Sequence, residues 1–207
     1  GVRHNFSLYL QPMTADLGIG RETFAIAIAI QNLLYGISQP ITGLIADKFG
    51  TARVLIGGAL CYALGLYLMS VSTSGLELTL SAGLLIGASL GCSGFSIDFG
   101  VIGRAFPPEK RSVALGIAGA AGSFGQFAML PYGQWLINQV GWMQALVILG
   151  ITVLAIIPLS SALVEDKSRQ AAILFKQSAR EALREALAHR GFLLLCTAYT
   201  VCGFQLL

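Results

Sequence analysis

The chain has 207 residues, of which 55% are hydrophobic and only 11% are charged, and its mean hydropathy is +0.74. Because soluble globular domains carry about 25% charged residues, this composition all but excludes a water-soluble enzyme domain and indicates a polytopic helical membrane protein. The net charge of +3 is too small and too evenly spread for a nucleic-acid-binding surface.

Apolar segments alternate with polar connections along the whole chain, and several reach the length of about 20 residues that crosses a bilayer. Complete spans are predicted at residues 23–46, 54–71, 78–103, 113–137 and 142–164. Two further segments, residues 1–13 and 191–207, are apolar but too short to span. We therefore expect a fragment that contains part of a first helix, the complete helices and the start of a seventh.

The basic residues predict which side of the membrane each loop faces. Eleven of the 13 lysines and arginines lie in three loops, residues 47–53, 104–112 and 165–190, which the predicted spans place on one side. The connections on the opposite side contain only Arg21. By the positive-inside rule, the three basic loops are predicted to be cytoplasmic.

The longest of these loops, residues 165–190, contains a predicted amphipathic helix. Ala179, Leu183, Ala186 and Leu187 share one face of such a helix, and arginines and glutamates take the other. The helix would lie at the cytoplasmic membrane surface. A solvated linker that joins two helix bundles explains this pattern more simply than a regulatory or partner site.

Glycines recur at helical spacing in the fourth and fifth predicted spans. In lipid, small residues allow helix backbones to approach closely, so these positions predict tight helix packing. The fifth span also has a proline below its glycines, which favours a helix that moves. The predicted packing positions are Gly83, Gly87, Gly91, Gly116, Gly119, Gly122, Gly125 and Pro131.

A few polar residues lie within the apolar segments, where ionisable groups are costly and are functional candidates by default. Arg3 is the best candidate for binding an anion, because a guanidinium matches a carboxylate with two parallel hydrogen bonds. Asn5, Tyr9 and Gln126 are candidate cavity-lining partners, although Gln126 is equally suited to an interhelical hydrogen bond. Asp98 either carries protons or pairs with an arginine that holds a closed state, and both roles stay open.

A short motif, residues 43–53, joins the second and third predicted spans. It reads Gly-Leu-Ile-Ala-Asp-Lys-Phe-Gly-Thr-Ala-Arg and resembles the loop signature of the major facilitator superfamily, G-x-x-x-D-[RK]-x-G followed by basic residues. The resemblance implies a cytoplasmic latch that involves the loop and the fourth helix. Its members would be Gly43, Asp47, Lys48, Gly50, Arg53 and Asp98.

The residue types in this motif have physical reasons. Gly43 would let the second helix approach a neighbour, and Gly50 would permit a tight turn. Asp47 would accept backbone N–H bonds at a helix start, where the dipole favours a negative charge. The chain departs from the family pattern at residues 51–52, where basic residues are common, and its arginine arrives at Arg53.

Two other stretches resemble the bacterial monocarboxylate and oxalate/formate porter branch of this superfamily. They are residues 106–123, around the fourth loop and fifth helix, and residues 1–13, where such porters often place a basic residue. The resemblance implies an all-α membrane protein in which residues 1–164 form a six-helix N-terminal bundle of inverted three-helix repeats. Residues 165–190 would be the cytoplasmic linker, and residues 191–207 the start of a seventh helix.

The resemblance implies secondary active transport of a small organic anion, first of all a monocarboxylate, by alternating access in the bacterial inner membrane. Coupling would be to a proton or a counter-anion, and a second six-helix half would complete the site. A drug or metabolite exporter of the same fold and a non-transporting sensor or assembly subunit remain alternatives. No enzyme, metal or other cofactor is expected, because the two histidines are far apart and the cysteines lack metal-ligand spacing.

Overall fold

The computed structural model describes residues 2–161 and 179–205, and every regular element within these ranges is a helix. The all-α membrane fold predicted from the sequence is thereby confirmed. The chain divides into two compact units, residues 1–167 and 168–207, and each is described by itself. The end of the sixth predicted span and the first half of the predicted linker, residues 162–178, lie outside the described residues.

The first helices of the larger unit are separated at glycines whose φ is positive, which lies outside the right-handed helical region. A 3₁₀ turn leads into α1, and α1 ends at Gly18, whose φ is 62°. A single residue, Gly50, separates the next two helices, with a φ of 96° that would strain any residue with a side chain. The bounds are Val2–Asn5 for the turn, Phe6–Leu17 for α1, Arg21–Phe49 for α2 and Thr51–Ser70 for α3.

The fourth predicted span is not one helix. A first run contains α4 (Gly75–Leu78), a π-helical segment (Thr79–Leu85) and α5 (Ile86–Gly91), and α6 (Phe95–Ala105) follows after a break at residues 92–94. Glycines flank the break, and glycine is unfavourable inside a helix. Hydropathy did not predict the interruption because the residues at the break carry no charge.

The fifth and sixth predicted spans form one helical run with a sharp bend. Helix α7 (Pro108–Leu154) continues after one residue into α8 (Ile156–Ser161). A straight helix as long as α7 would measure roughly 70 Å, more than twice the bilayer core of about 30 Å. Gly141, with φ 79° and ψ 165°, bends α7, so the run provides two membrane-length parts.

The core of the larger unit lies where α3 packs against α7 and against the run from α4 to α5. Large apolar side chains also cover the outer faces, where Leu33, Phe124 and Phe127 are 63%, 70% and 74% exposed. Soluble monomers rarely expose large contiguous apolar patches, whereas lipid tails accept them. The fully buried apolar side chains include Tyr9, Met13, Leu66, Met69, Leu78, Ile86, Leu146 and Leu149.

One polar contact fastens the end of α1 to α7. The indole Nε1 of Trp142, which is 5% exposed, donates a hydrogen bond of 2.5 Å to the Asp16 carboxylate. We expect Trp142→Phe to lower the free energy of unfolding by about 1.5–3 kcal/mol, because a charge-assisted hydrogen bond is lost together with part of a buried ring. Thermal unfolding of the whole protein in detergent measures the change.

Trp135→Phe is the matched control for this prediction. Trp135 also lies on α7, but its side chain is 56% exposed, and we expect its replacement to leave the unfolding temperature nearly unchanged. Equal shifts in the two variants would contradict a stabilising role for the hydrogen bond to Asp16.

The described part of the smaller unit, residues 179–205, forms α9 (Ala179–Ala188) and α10 (Arg190–Gln205). Helix α9 occupies the stretch for which the sequence predicts an amphipathic helix. Helix α10 is apolar and begins one residue before the segment in which the sequence predicts the start of a seventh span.

Candidate functional site

A cavity of about 570 Å³ lies within the larger unit, between the 3₁₀ turn that precedes α1 and helices α2, α3, α5, α6, α7 and α8. Small-molecule sites are concave and mostly apolar, with a few convergent polar groups. This cavity has that character, because aliphatic side chains from several helices form much of its wall. Its polar or ionisable lining residues are Arg3, His4, Tyr35, Tyr62, Ser93, Asp98, Gln126, Thr152 and Ser160.

Arg3 is on the cavity wall and is held there by α2. Its Nη2 donates a hydrogen bond to Oδ1 of Asn32, and its guanidinium carbon lies 5.1 Å from the centroid of the Tyr35 ring. A cation at that distance is attracted to the ring face. Because a guanidinium has five N–H donors, the bond to Asn32 leaves others for an anion in the cavity.

Asp98 lies on the same wall, in the first turn of α6. Arg3 and Asp98 are both described by the structure, and no ion pair joins them. Nor does an ion pair join Asp98 to Arg53, which is exposed, so the predicted latch pairing is absent from this conformation. Asp98 is therefore a cavity residue here.

The other predicted site residues divide between the cavity and the protein core. Gln126 lines the cavity from α7, next to Gly122 and Gly125. Asn5 and Tyr9 are absent from the wall, and both are completely buried. Their predicted role as lining residues is therefore not supported by this conformation.

The burial of Asn5 and Tyr9 follows from helical geometry. They are four residues apart, as are Tyr9 and Met13, and all three occupy the buried face of the first helical segment. A Cβ atom added to Gly133 would lie 2.6 Å from the Asn5 side-chain nitrogen, so Asn5 packs directly on α7. The sequence analysis used their polarity and did not consider their shared face.

Several residues at the site were not predicted, and three of them matter most. Asn32 and Tyr35 support Arg3. Tyr62 lines the cavity while only 6% exposed, and its hydroxyl has no hydrogen-bond partner in the described part of the chain. A sequence signal existed for the first two, because residues three apart are neighbours on a helix face. Tyr62 is one of two tyrosines in the apolar helix α3, and its position gives no such signal.

The glycines of the fourth predicted span lie against α2. A Cβ atom on Gly87 would be 2.9 Å from the Gln31 Cα, and one on Gly83 would be 3.1 Å from the Ala27 carbonyl oxygen. A Cβ atom on Gly91 would be 2.7 Å from the Ser38 Cβ. Gln31 adds a hydrogen bond of 2.8 Å from Nε2 to the Ala82 carbonyl oxygen. This close packing fixes the helix that supports Arg3.

The glycines of the fifth predicted span have a different environment. At Gly116, Gly119 and Gly125, an added Cβ atom would meet no atom within 4 Å among the described residues. Gly122 faces the cavity, and Pro131 is exposed. This face of α7 therefore has no close helix partner in the part of the chain that the structure describes, and the predicted tight packing is not found there.

The loop motif differs in detail from its expected geometry. Asp47 is half-buried in the last turn of α2 rather than at a helix start, because α2 extends to Phe49. A Cβ atom added to Gly43 would meet no described atom within 4 Å, so no helix packs closely on this glycine there. Lys48 is exposed, with its ammonium 5.4 Å from the centroid of the Phe49 ring. Gly50 forms the turn.

The family of the chain follows from comparison with known proteins. A model of the family described as Major Facilitator Superfamily matches residues 2–207. The chain belongs to the major facilitator superfamily, and it is a multi-pass membrane protein.

Individual relatives are monocarboxylate transporters. Monocarboxylate transporter 13 of Rattus norvegicus is 32% identical over 150 residues, which are 72% of this chain and 34% of that protein. Monocarboxylate transporter 3 of Gallus gallus is 29% identical over 145 residues, 70% of this chain and 26% of that protein. Monocarboxylate transporter 2 of Homo sapiens is 33% identical over 113 residues, 54% of this chain and 23% of that protein.

This chain spans about a third, or less, of the length of these relatives. All three are vertebrate proteins, so the bacterial branch and the bacterial inner membrane stay predictions.

Proposed function

We propose that this protein takes part in secondary active transport of a small organic anion, in the first place a monocarboxylate. The observation that supports the proposal most strongly is the position of Arg3 on the wall of a largely apolar cavity. The names of the relatives point to the same substrate class.

Arg3 would bind the carboxylate, and the aliphatic wall would receive the rest of the substrate. A charged side chain within a membrane is costly and is kept for a function or a partner. A guanidinium binds a carboxylate through two parallel, charge-assisted hydrogen bonds. Gln126 lines the same cavity and would add a polar contact.

Alternating access would require a second six-helix bundle, which we propose belongs to the same protein. The face of α7 that contains Gly116 and Gly119 has room for a close neighbour, because the described residues leave it uncovered. The second bundle would pack there and complete the cavity. Relative movement of the two halves would then expose the substrate to each side in turn.

The basic loops would face the cytoplasm, and the loop at residues 47–53 would act as the latch. The coupling species would be a proton or a counter-anion. In this conformation Asp98 lies on the cavity wall without an ion pair to Arg3 or Arg53, which favours proton binding over the latch role.

A drug or metabolite exporter is the second candidate. Asp98, Tyr35 and Tyr62 all line the cavity, and a carboxylate with aromatic rings suits a hydrophobic cation. The two candidates therefore differ in whether Arg3 or Asp98 is the group that binds the substrate.

Transport by the whole protein in proteoliposomes distinguishes these candidates. We expect saturable uptake of labelled L-lactate and formate above that of protein-free vesicles, and no protein-dependent movement of tetraphenylphosphonium. Oxalate, a dicarboxylate, tests the breadth of the anion site. Transport of the cation without transport of any carboxylate would contradict the proposal and support the exporter.

A further inference from the structure

The contact between α2 and Arg3 gives two residues of α2 a role in substrate recognition. Arg3 precedes α1, in a 3₁₀ turn, and Asn32 is 29 positions further along the chain. Two residues on one face of α2 contact the guanidinium. The Asn32 side-chain oxygen accepts a hydrogen bond from Nη2 of Arg3, and the Tyr35 ring lies against the cation. Together they limit the rotation of a long, flexible side chain.

We infer that Asn32 and Tyr35 are positioning residues that hold the Arg3 guanidinium in the orientation that binds a carboxylate. This inference rests on the proposed function, because it assumes that Arg3 binds an anion. The Asn32 amide is neutral, so it accepts a hydrogen bond from Arg3 without cancelling its charge. A carboxylate at position 32 would form an ion pair with Arg3 instead and would compete with the substrate.

The chemistry of this arrangement predicts different results from two substitutions at one position. Asn32→Ala removes the acceptor and frees the guanidinium, so we expect the KM for L-lactate to rise about tenfold, the loss typical of one hydrogen bond to a charged group. The maximal rate should change much less, since the charge that binds the anion remains.

Asn32→Asp keeps the shape of the side chain and adds the competing carboxylate. We expect it to reduce lactate binding more than Asn32→Ala does, while its thermal stability stays at or above that of the wild type, because it replaces a hydrogen bond to Arg3 by an ion pair. A purely structural role of Asn32 predicts instead that the alanine variant loses the most stability and that binding follows stability.

The control for added charge is Asn138→Asp. Asn138 is exposed on α7, away from the cavity wall, and its oxygen accepts a hydrogen bond from Gln134. We expect this variant to transport lactate like the wild type. If Asn138→Asp and Asn32→Asp reduce transport equally, the effect is due to net charge and the inference is wrong.

Tyr35 supplies an independent test of the same inference. Tyr35→Phe keeps the aromatic face under the guanidinium, whereas Tyr35→Leu removes it, so we expect the phenylalanine variant to retain a lower KM than the leucine variant. Equal KM values for the two variants would overturn the part assigned to the ring.

The failure of this inference is distinguishable from failure of the proposed function. If Arg3 binds an anion but α2 does not position it, replacing Arg3 abolishes uptake while both Asn32 variants transport normally. If the cavity binds cations instead, Asn32→Asp increases uptake of tetraphenylphosphonium, because it strengthens the negative charge of the cavity. Either result overturns the positioning role.

Discussion

Arg3→Ala is expected to abolish uptake of L-lactate while leaving insertion of the protein into the membrane intact. Arg3 provides the guanidinium that we propose binds the substrate carboxylate, and removing one member of a buried, hydrogen-bonded charge pair costs about 2–5 kcal/mol. The affinity should therefore fall by about 30-fold to several thousandfold. Counterflow exchange in proteoliposomes and lactate-induced thermal stabilisation measure the loss.

Arg3→Lys is the appropriate comparison. Lysine keeps the positive charge but lacks the planar pair of donors that matches a carboxylate. We expect intermediate affinity, with weaker discrimination between carboxylates and other small anions. Normal uptake by the alanine variant would remove Arg3 from the substrate site.

Gly87→Ala is expected to destabilise the protein, because Gly87 packs directly against the backbone of α2. The added Cβ atom would lie 2.9 Å from the Gln31 Cα, 3.0 Å from the Gln31 carbonyl oxygen and 3.1 Å from the Leu34 Cβ. Two of these atoms belong to the backbone of α2, so the helix itself must move. Overpacking of this kind costs about 1–3 kcal/mol, and thermal unfolding in detergent measures it.

The same substitution should also weaken lactate binding, because α2 carries the two side chains that hold Arg3. Gly57→Ala is the matched control: Gly57 is an exposed residue of α3, and its added Cβ would meet no described atom within 4 Å. Replacing an exposed helical glycine by alanine typically stabilises by about 0.5–1 kcal/mol. If Gly87→Ala were tolerated as well as Gly57→Ala, the close contact between α2 and α5 would not exist in the membrane.

The all-helical fold was predictable because two independent patterns agreed. Apolar length located the membrane segments, and basic residues alternated between their connections. The interruptions were harder to predict. Hydropathy predicts a boundary between two spans near Gly141. It does not predict that one helical run continues through this boundary and bends at the glycine. The three residues of the break at 92–94 include no charged residue and no proline, so no local signal marks the interruption.

The candidate site was predicted only where the chemistry of a single residue was sufficient. Arg3 was predicted to bind an anion because a charge in an apolar segment requires a partner or a function, and it lies on the cavity wall. Asn5 and Tyr9 are also polar, but they lie on the helix face that packs into the core. The roles of Asn32 and Tyr35 depend on a contact with Arg3 across 29 positions of the chain, which no local pattern encodes.

The central claim is that the positive charge of Arg3 makes the cavity recognise a carboxylate. Equilibrium binding of L-lactate and of lactamide, its neutral amide of nearly the same shape, to the whole protein tests this claim directly. We predict that lactate binds at least about a hundredfold more tightly than lactamide, as expected when a ligand lacks the charge that its site is built to pair. Equal binding of the two compounds would contradict the account.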